Sequence, residues 1–157
     1  MLKLLTQRDI KTNWKDYRSK IQIALESSEG ARVLVSGDTG NVYKNIYGRL
    51  LNPFNQDMHL WSEGNEDYLV LTQVQTCPIT EKKTLVIATS TRSNEVDKET
   101  LDERYYEAYM TISKFAKENE CVGMYCYSDL DYFAEMANKT KDWTNVITRY
   151  QFYFPLN

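Results

Sequence analysis

The sequence holds one histidine, three prolines, six glycines and three cysteines in 157 residues. Each scarcity excludes something. His59 stands alone, so no His-x-His or His-x-x-Glu spacing arises and a metal site would lack convergent ligands. Asp57 lies two residues before it, but no nucleophile pattern accompanies the pair, so no triad is expected. On a strand beside Trp61, a structural role for His59 is the expectation. Cys77, Cys121 and Cys126 are odd in number and have no Cys-x-x-Cys spacing. Each lies in or at the end of an apolar run, so buried, reduced thiols are expected. No uncharged apolar run approaches the ~20 residues that a membrane helix needs. The apolar start, Met1–Thr6, is too short for a signal peptide. Positive charge is not in excess: 19 Lys and Arg face 22 Asp and Glu, a net charge of −3. That argues against the basic face of a nucleic-acid binder. An intracellular protein with no membrane partner and no direct nucleic-acid partner is expected.

What is present is an ordinary globular composition, 42% hydrophobic and 26% charged. It fits one domain over residues 1–157 with a real core. Thr84–Thr91 is a β-rich apolar run. Leu101, Tyr105, Ala108, Tyr109, Ile112, Phe115 and Ala116 then recur at helical steps, and Cys121–Tyr127 is short and apolar again. Two strands joined by such a helix predict a parallel, right-handed βαβ crossover. Upstream, Leu2–Leu5 is a candidate first strand. Thr6 stands three residues before Asp9 as a capping box, opening a helix to about Glu26. Val42, Ile46 and Leu50 mark a second helix that Asn52-Pro53 ends. Met58–Trp61 and Tyr68–Cys77 read as strands, the latter pairing antiparallel with the Thr84 strand at the sheet centre. Ser128 opens a short helical face, and residues 146–154 alternate as a terminal strand. The single Asp38-Thr39-Gly40 resembles an aspartic-protease loop, but those enzymes need two in an all-β frame, so it reads as a turn and cap.

Trp14 in the first helix, the Leu60-Trp61 pair, Thr72 within Val70–Val74 and the Phe115–Cys121 helix end occur in a familiar order. With the order of elements, they make the chain similar to the GNAT acetyltransferase superfamily, and more narrowly to small GNAT-like proteins of tailed bacteriophages. The resemblance covers nearly the whole chain. It implies an α/β fold with a mixed central sheet and helices on both faces. Active members carry a glycine-bearing loop after the fourth strand whose amides cradle the acetyl-CoA pyrophosphate at a helix N-terminus. Here that segment is Arg92-Ser-Asn-Glu-Val-Asp97, which makes Arg92, Ser93 and Asn94 the candidate cofactor residues. It has no glycine, and Glu95, Asp97 and Glu99 would oppose phosphate, so weak or no acetyl-CoA binding is expected. The family's general acid is a tyrosine early in the last helix. Tyr132 matches best, with Tyr125 and Tyr127 as alternatives.

Aromatic residues reach 13%, including 12 tyrosines. Neighbours in a strand point to opposite faces, so the tyrosines cannot all turn inward. Tyr105, Tyr106, Tyr109, Tyr150 and Tyr153 are therefore candidate interface residues. The phage resemblance and the altered loop together imply a non-catalytic virion component. It would be assembled in the bacterial host cytoplasm, bound to itself or to other virion proteins, and placed in the portal or tail-ring region. The alternatives are an acetyl-CoA-dependent N-acyltransferase with a degenerate cofactor loop and a phage protein that binds a host target.

Overall fold

The computed structural model describes residues 1–27, 39–54, 56–64, 68–91 and 98–126. Its elements are β1 (Lys3–Leu4), α1 (Gln7–Ser27), α2 (Thr39–Leu50), β2 (Met58–Ser62), β3 (Leu69–Thr76), β4 (Lys83–Ser90), α3 (Lys98–Glu118) and β5 (Cys121–Cys126). The expected helix after Ser128 and the expected strand 146–154 lie outside the described residues, as do Gly37 and Asp38.

Local chemistry sets the helix ends. The capping box forms: the Thr6 amide donates to Asp9 Oδ2 at 3.0 Å and the Asp9 amide donates to Thr6 Oγ1 at 3.2 Å. At the far end of α2, Asn52 Oδ1 accepts from the Phe54 amide at 3.0 Å, an Asx turn that reverses the chain before Pro53 can extend the helix. α3 stops at Glu120, whose φ of 61° is left-handed although its side chain is not glycine's.

The sheet order is β1-β2-β3-β4-β5. The first four strands form an antiparallel meander, and β4 pairs with β5 in parallel across α3. The central antiparallel pair and the parallel crossover match expectation. Alternation then divides the side chains between two faces. Met58, Leu60, Leu69 and Leu71 pack with Ile10, Tyr17 and Ile21 of α1 and with Tyr43, Ile46 and Leu50 of α2. Trp61, Val70 and Leu85 pack on the other face with Tyr105, Ala108, Ile112 and Ala116 of α3. Helices therefore cover both faces of one sheet. No helix among the described residues is long and apolar enough to cross a membrane.

Candidate active site

The meander meets the crossover at β4, and ligands of open α/β sheets bind beyond the carboxyl ends of strands at such a switch. β4 pairs with β5 from Lys83↔Cys121 to Ile87↔Cys126, where the described pairing ends. At that level β4 also slips against β3: Thr72 pairs with Ile87, but Leu71 pairs with Thr89. Ala88 is the extra residue of a β-bulge. Its effect is to reverse the faces from there on. Thr89 now shares the α1–α2 face with Leu71, and Ser90 shares the α3 face with Val70.

The bulge also fixes which backbone groups stay free of β3. The Thr91 amide donates to the Leu69 carbonyl at 2.8 Å, and the Leu69 amide donates to Thr91 Oγ1 at 2.7 Å. Antiparallel ladders alternate, so the Ser90 N–H and C=O point away from β3, to the side of β4 on which the described part of β5 ends at Cys126. Among the described residues, no strand pairs with β4 on that side between Ala88 and Ser90.

Aromatic rings lie on the α3 side of this stretch. The Tyr68 and Tyr105 rings meet edge to face at 5.9 Å. Burial, then Tyr105, Cys126 and Glu63, raise the Tyr68 phenol well above its ordinary range, while a hydrogen bond with the Ser90 side chain acts the other way. Burial likewise pushes the Cys126 thiol up to about 11. Tyr68 and Cys126 thus stay protonated at neutral pH. Arg104 Nε of α3 lies 3.4 Å from Glu63 Oε2 and ties the helix to the β2–β3 connection. The α1–α2 side is less covered. Thr89 is half-buried there, and Tyr125, which pairs with Val86 one residue before the β5 pairing ends, is 48% exposed.

The sequence candidates fall unevenly on this geometry. Arg92, Ser93, Asn94, Tyr127, Tyr132, Tyr150 and Tyr153 lie outside the described residues. Glu99 is exposed in the first turn of α3. Of the proposed contact tyrosines, Tyr106 is 49% exposed and Tyr109 is half-buried. Tyr105 is 7% exposed and belongs to the core, because the helical step that aligns it with Ala108 and Ile112 turns it onto the sheet.

His59 is 7% exposed, packs edge to face on Phe115 at 4.8 Å, and is kept neutral by burial against a weaker opposing pull from Asp57. Asp57 is taken by Arg49, whose Nε donates to Oδ1 at 3.2 Å and whose second nitrogen bonds Oδ2. The pair makes no triad. The cysteines depart from the expectation of burial: all three are free and half-buried. Cys77 ends β3 in a turn where the Thr80 hydroxyl, then the amides of Thr80 and Ile79, hold its thiol below the ordinary value. Among the described residues no group of three or more His, Cys, Asp or Glu side chains could hold a metal ion.

Sequence reasoning missed the Ala88 bulge and with it the role of Ser90. Thr84–Thr91 reads as one continuous β-rich run, and nothing in the residue types marks the slip.

No family model matches the chain, and no curated protein matches it. Solved structures do. An aminoglycoside acetyltransferase from an uncultured soil metagenomic sample, solved with sisomicin, is 16% identical with a TM-score of 0.63, over 100% of this chain and 96% of that one. A GNAT family acetyltransferase from Staphylococcus aureus is 14% identical with a TM-score of 0.59, over 99% and 98%. A ribosomal-protein-alanine N-acetyltransferase from Brucella melitensis is 10% identical with a TM-score of 0.53, over 96% and 99%. At these identities the likeness establishes the fold: the chain has the GNAT fold, with its mixed sheet and flanking helices. Two expectations are corrected. Nothing among these structures supports the narrower phage resemblance. The reading as a non-catalytic virion component, with its portal or tail-ring position, is overturned because these full-length neighbours are acetyltransferases.

Proposed function

We propose that the chain is an N-acyltransferase that takes acetyl-CoA as acyl donor and a primary amine as acceptor. The observation that carries this reading is the edge of β4 beyond the Ala88 bulge, which pairs with no described strand on the β5 side. An extended, amide-bearing arm fits a strand edge, because edge N–H and C=O groups pair with it as a further strand would. Bound acetyl-CoA supplies the activated acyl group and has such an arm. Ser90 offers its N–H and C=O at that edge. A backbone N–H fixed there holds a carbonyl oxygen without reorganisation, which is how preorganised dipoles favour acyl transfer. Tyr125 stands half-exposed on the α1–α2 side of this edge, placed to hold a proton beside it. Tyr132 is the residue that the family resemblance favours for that role.

The phosphate end fits less well by sequence. Arg92–Asp97 contains no glycine, and Glu95 and Asp97 add negative charge there. The edge then supplies most of the donor affinity, and the expected dissociation constant is about 100 μM, or roughly −5.5 kcal/mol. The test is transfer of labelled acetyl from acetyl-CoA to sisomicin and to a peptide with a free N-terminal alanine. Accumulation of either acetylated amine supports the reading. Absence of both at millimolar donor overturns it. Tyr125→Phe and Tyr132→Phe then separate the two tyrosines: the one that holds the proton lowers turnover more than it changes donor affinity.

A further inference from the structure

Tyr43 is 1% exposed, and its hydroxyl is buried with no hydrogen-bond partner among the described residues. A buried hydroxyl left unpaired is costly, and folded chains rarely keep one without a reason. Phenylalanine would fill the same space without that cost, so the hydroxyl itself needs an explanation. Burial, then the carboxylate of Glu26, raise its pKa, with Arg18 acting the other way, and the group stays a neutral donor and acceptor at neutral pH.

Its place in the fold supplies the explanation. The last turn of α2 is pinned beside the start of β2 by Arg49 on Asp57, and Gln7 at the start of α1 donates to the Leu51 carbonyl at 3.4 Å. Tyr43, in the second turn of α2, lies well before that pinned end of the helix. It packs on the face that carries Leu69 and Leu71, the partners of Thr91 and Thr89. Tyr68, Tyr105 and Cys126 occupy the α3 side of this part of β4, and Tyr43 lies on the α1–α2 side. Over its ring lies the exposed Arg18 side chain, its guanidinium 5.4 Å from the ring centroid. An exposed cation–π contact of this kind is worth only about 0.5–1 kcal/mol.

We propose that Tyr43 is a specificity-determining residue, whose hydroxyl forms its missing hydrogen bond with an amine-bearing acceptor that displaces Arg18 between α1 and α2. Glu26 favours an ammonium group there: its carboxylate lies close enough to act on the phenol and is oriented by Gln22 Nε2, which donates to it at 2.8 Å. The inference rests on the acyltransferase reading for the class of ligand, but not for the binding itself.

The experiment compares wild type with Tyr43→Phe. Binding of sisomicin and of the N-terminal alanine peptide is measured by calorimetry without acyl donor, and the thermal midpoint is recorded for both proteins. The expected result is that Y43F weakens the amine that wild type binds by fivefold or more, while its midpoint stays level or rises. Where transfer is observed, the acceptor KM rises and the donor KM does not. Three results overturn the inference: equal affinity in both proteins, binding of neither amine to wild type, or a midpoint several degrees lower in Y43F, which would reveal an internal partner such as ordered water. Tyr43-dependent amine binding without acetyl transfer would sink the acyltransferase reading and leave the inference standing. Transfer with Tyr43-independent binding would do the reverse.

Discussion

The two faces of the sheet each bury one polar atom without a partner among the described residues, and they do so in different company. On the α3 face the atom is His59 Nδ1. It sits among aromatic rings: Phe115 at 4.8 Å from its own ring, and Trp61 edge to face with the same Phe115 at 5.0 Å. The nearby polar groups are satisfied, as Trp61 Nε1 donates to the fully buried Thr72 Oγ1 at 2.9 Å. On the α1–α2 face the atom is the Tyr43 hydroxyl, under an exposed arginine. On the α3 face the unpaired atom is packed among aromatic rings, where it lowers stability. On the other, the unpaired atom is the one that we propose a ligand reaches. The sheet has a supporting face and a working face, divided at the Ala88 bulge.

The largest blow to that division falls on the supporting face. Ile112→Ala removes a fully buried side chain from the packing between α3 and the sheet. It should cost about 3 kcal/mol, read as a lower urea midpoint. Next comes a contrast between paired and unpaired polar groups. Thr72→Val strands the Trp61 indole N–H and should cost about 2 kcal/mol, whereas Y43F should cost nothing. Equal losses in the two variants would erase the distinction between the faces.

A smaller effect is acid sensitivity. Burial holds the folded-state pKa of His59 below its ordinary 6.5. The unfolded chain therefore takes up the proton first, and stability falls as pH drops through the window beneath 6.5. Denaturation midpoints between pH 7.5 and 5 should decline for wild type, and His59→Phe should flatten that decline. Asp9, held below its ordinary 3.8 chiefly by the Thr6 hydroxyl, loses its contribution only at lower pH, so the two windows separate. The smallest effect is at the end of α3. Glu120→Gly relieves a left-handed non-glycine residue and should raise stability by about 1 kcal/mol, at the loss of one exposed contact with Lys83 at 3.5 Å.

Much of this fold was legible because its strands and helices have clean periods. α1 announced itself by Thr6, Asp9 and the row Ile10, Tyr17, Ile21 and Ala24. The β4–α3–β5 crossover followed from two apolar runs around a helical one. The working edge was not legible. A bulge adds one residue to a strand without altering its composition, so nothing distinguishes Ala88 from any other strand residue. Tyr105 misled for a related reason: three tyrosines within five residues of one helix cannot share a fate, and which one turned inward depended on where the sheet lay. The functional reading went astray at Arg92–Asp97. The absence of glycine there weighs against a phosphate cradle, but it says nothing of the β4 edge that we propose as a second means of holding an acyl donor.

That edge is the centre of the account, and one backbone atom tests it. The Ser90 N–H takes no part in the ladder with β3, so Ser90→Pro removes it where a proline is tolerated on an edge. Calorimetric titration with acetyl-CoA, with circular dichroism and thermal midpoints alongside, should give a dissociation constant of about 100 μM for wild type. For S90P the account predicts affinity at least tenfold weaker in a protein that remains folded, and for Ser90→Ala, which keeps the N–H, a smaller loss than that. Affinity in folded S90P equal to that of wild type would contradict the account.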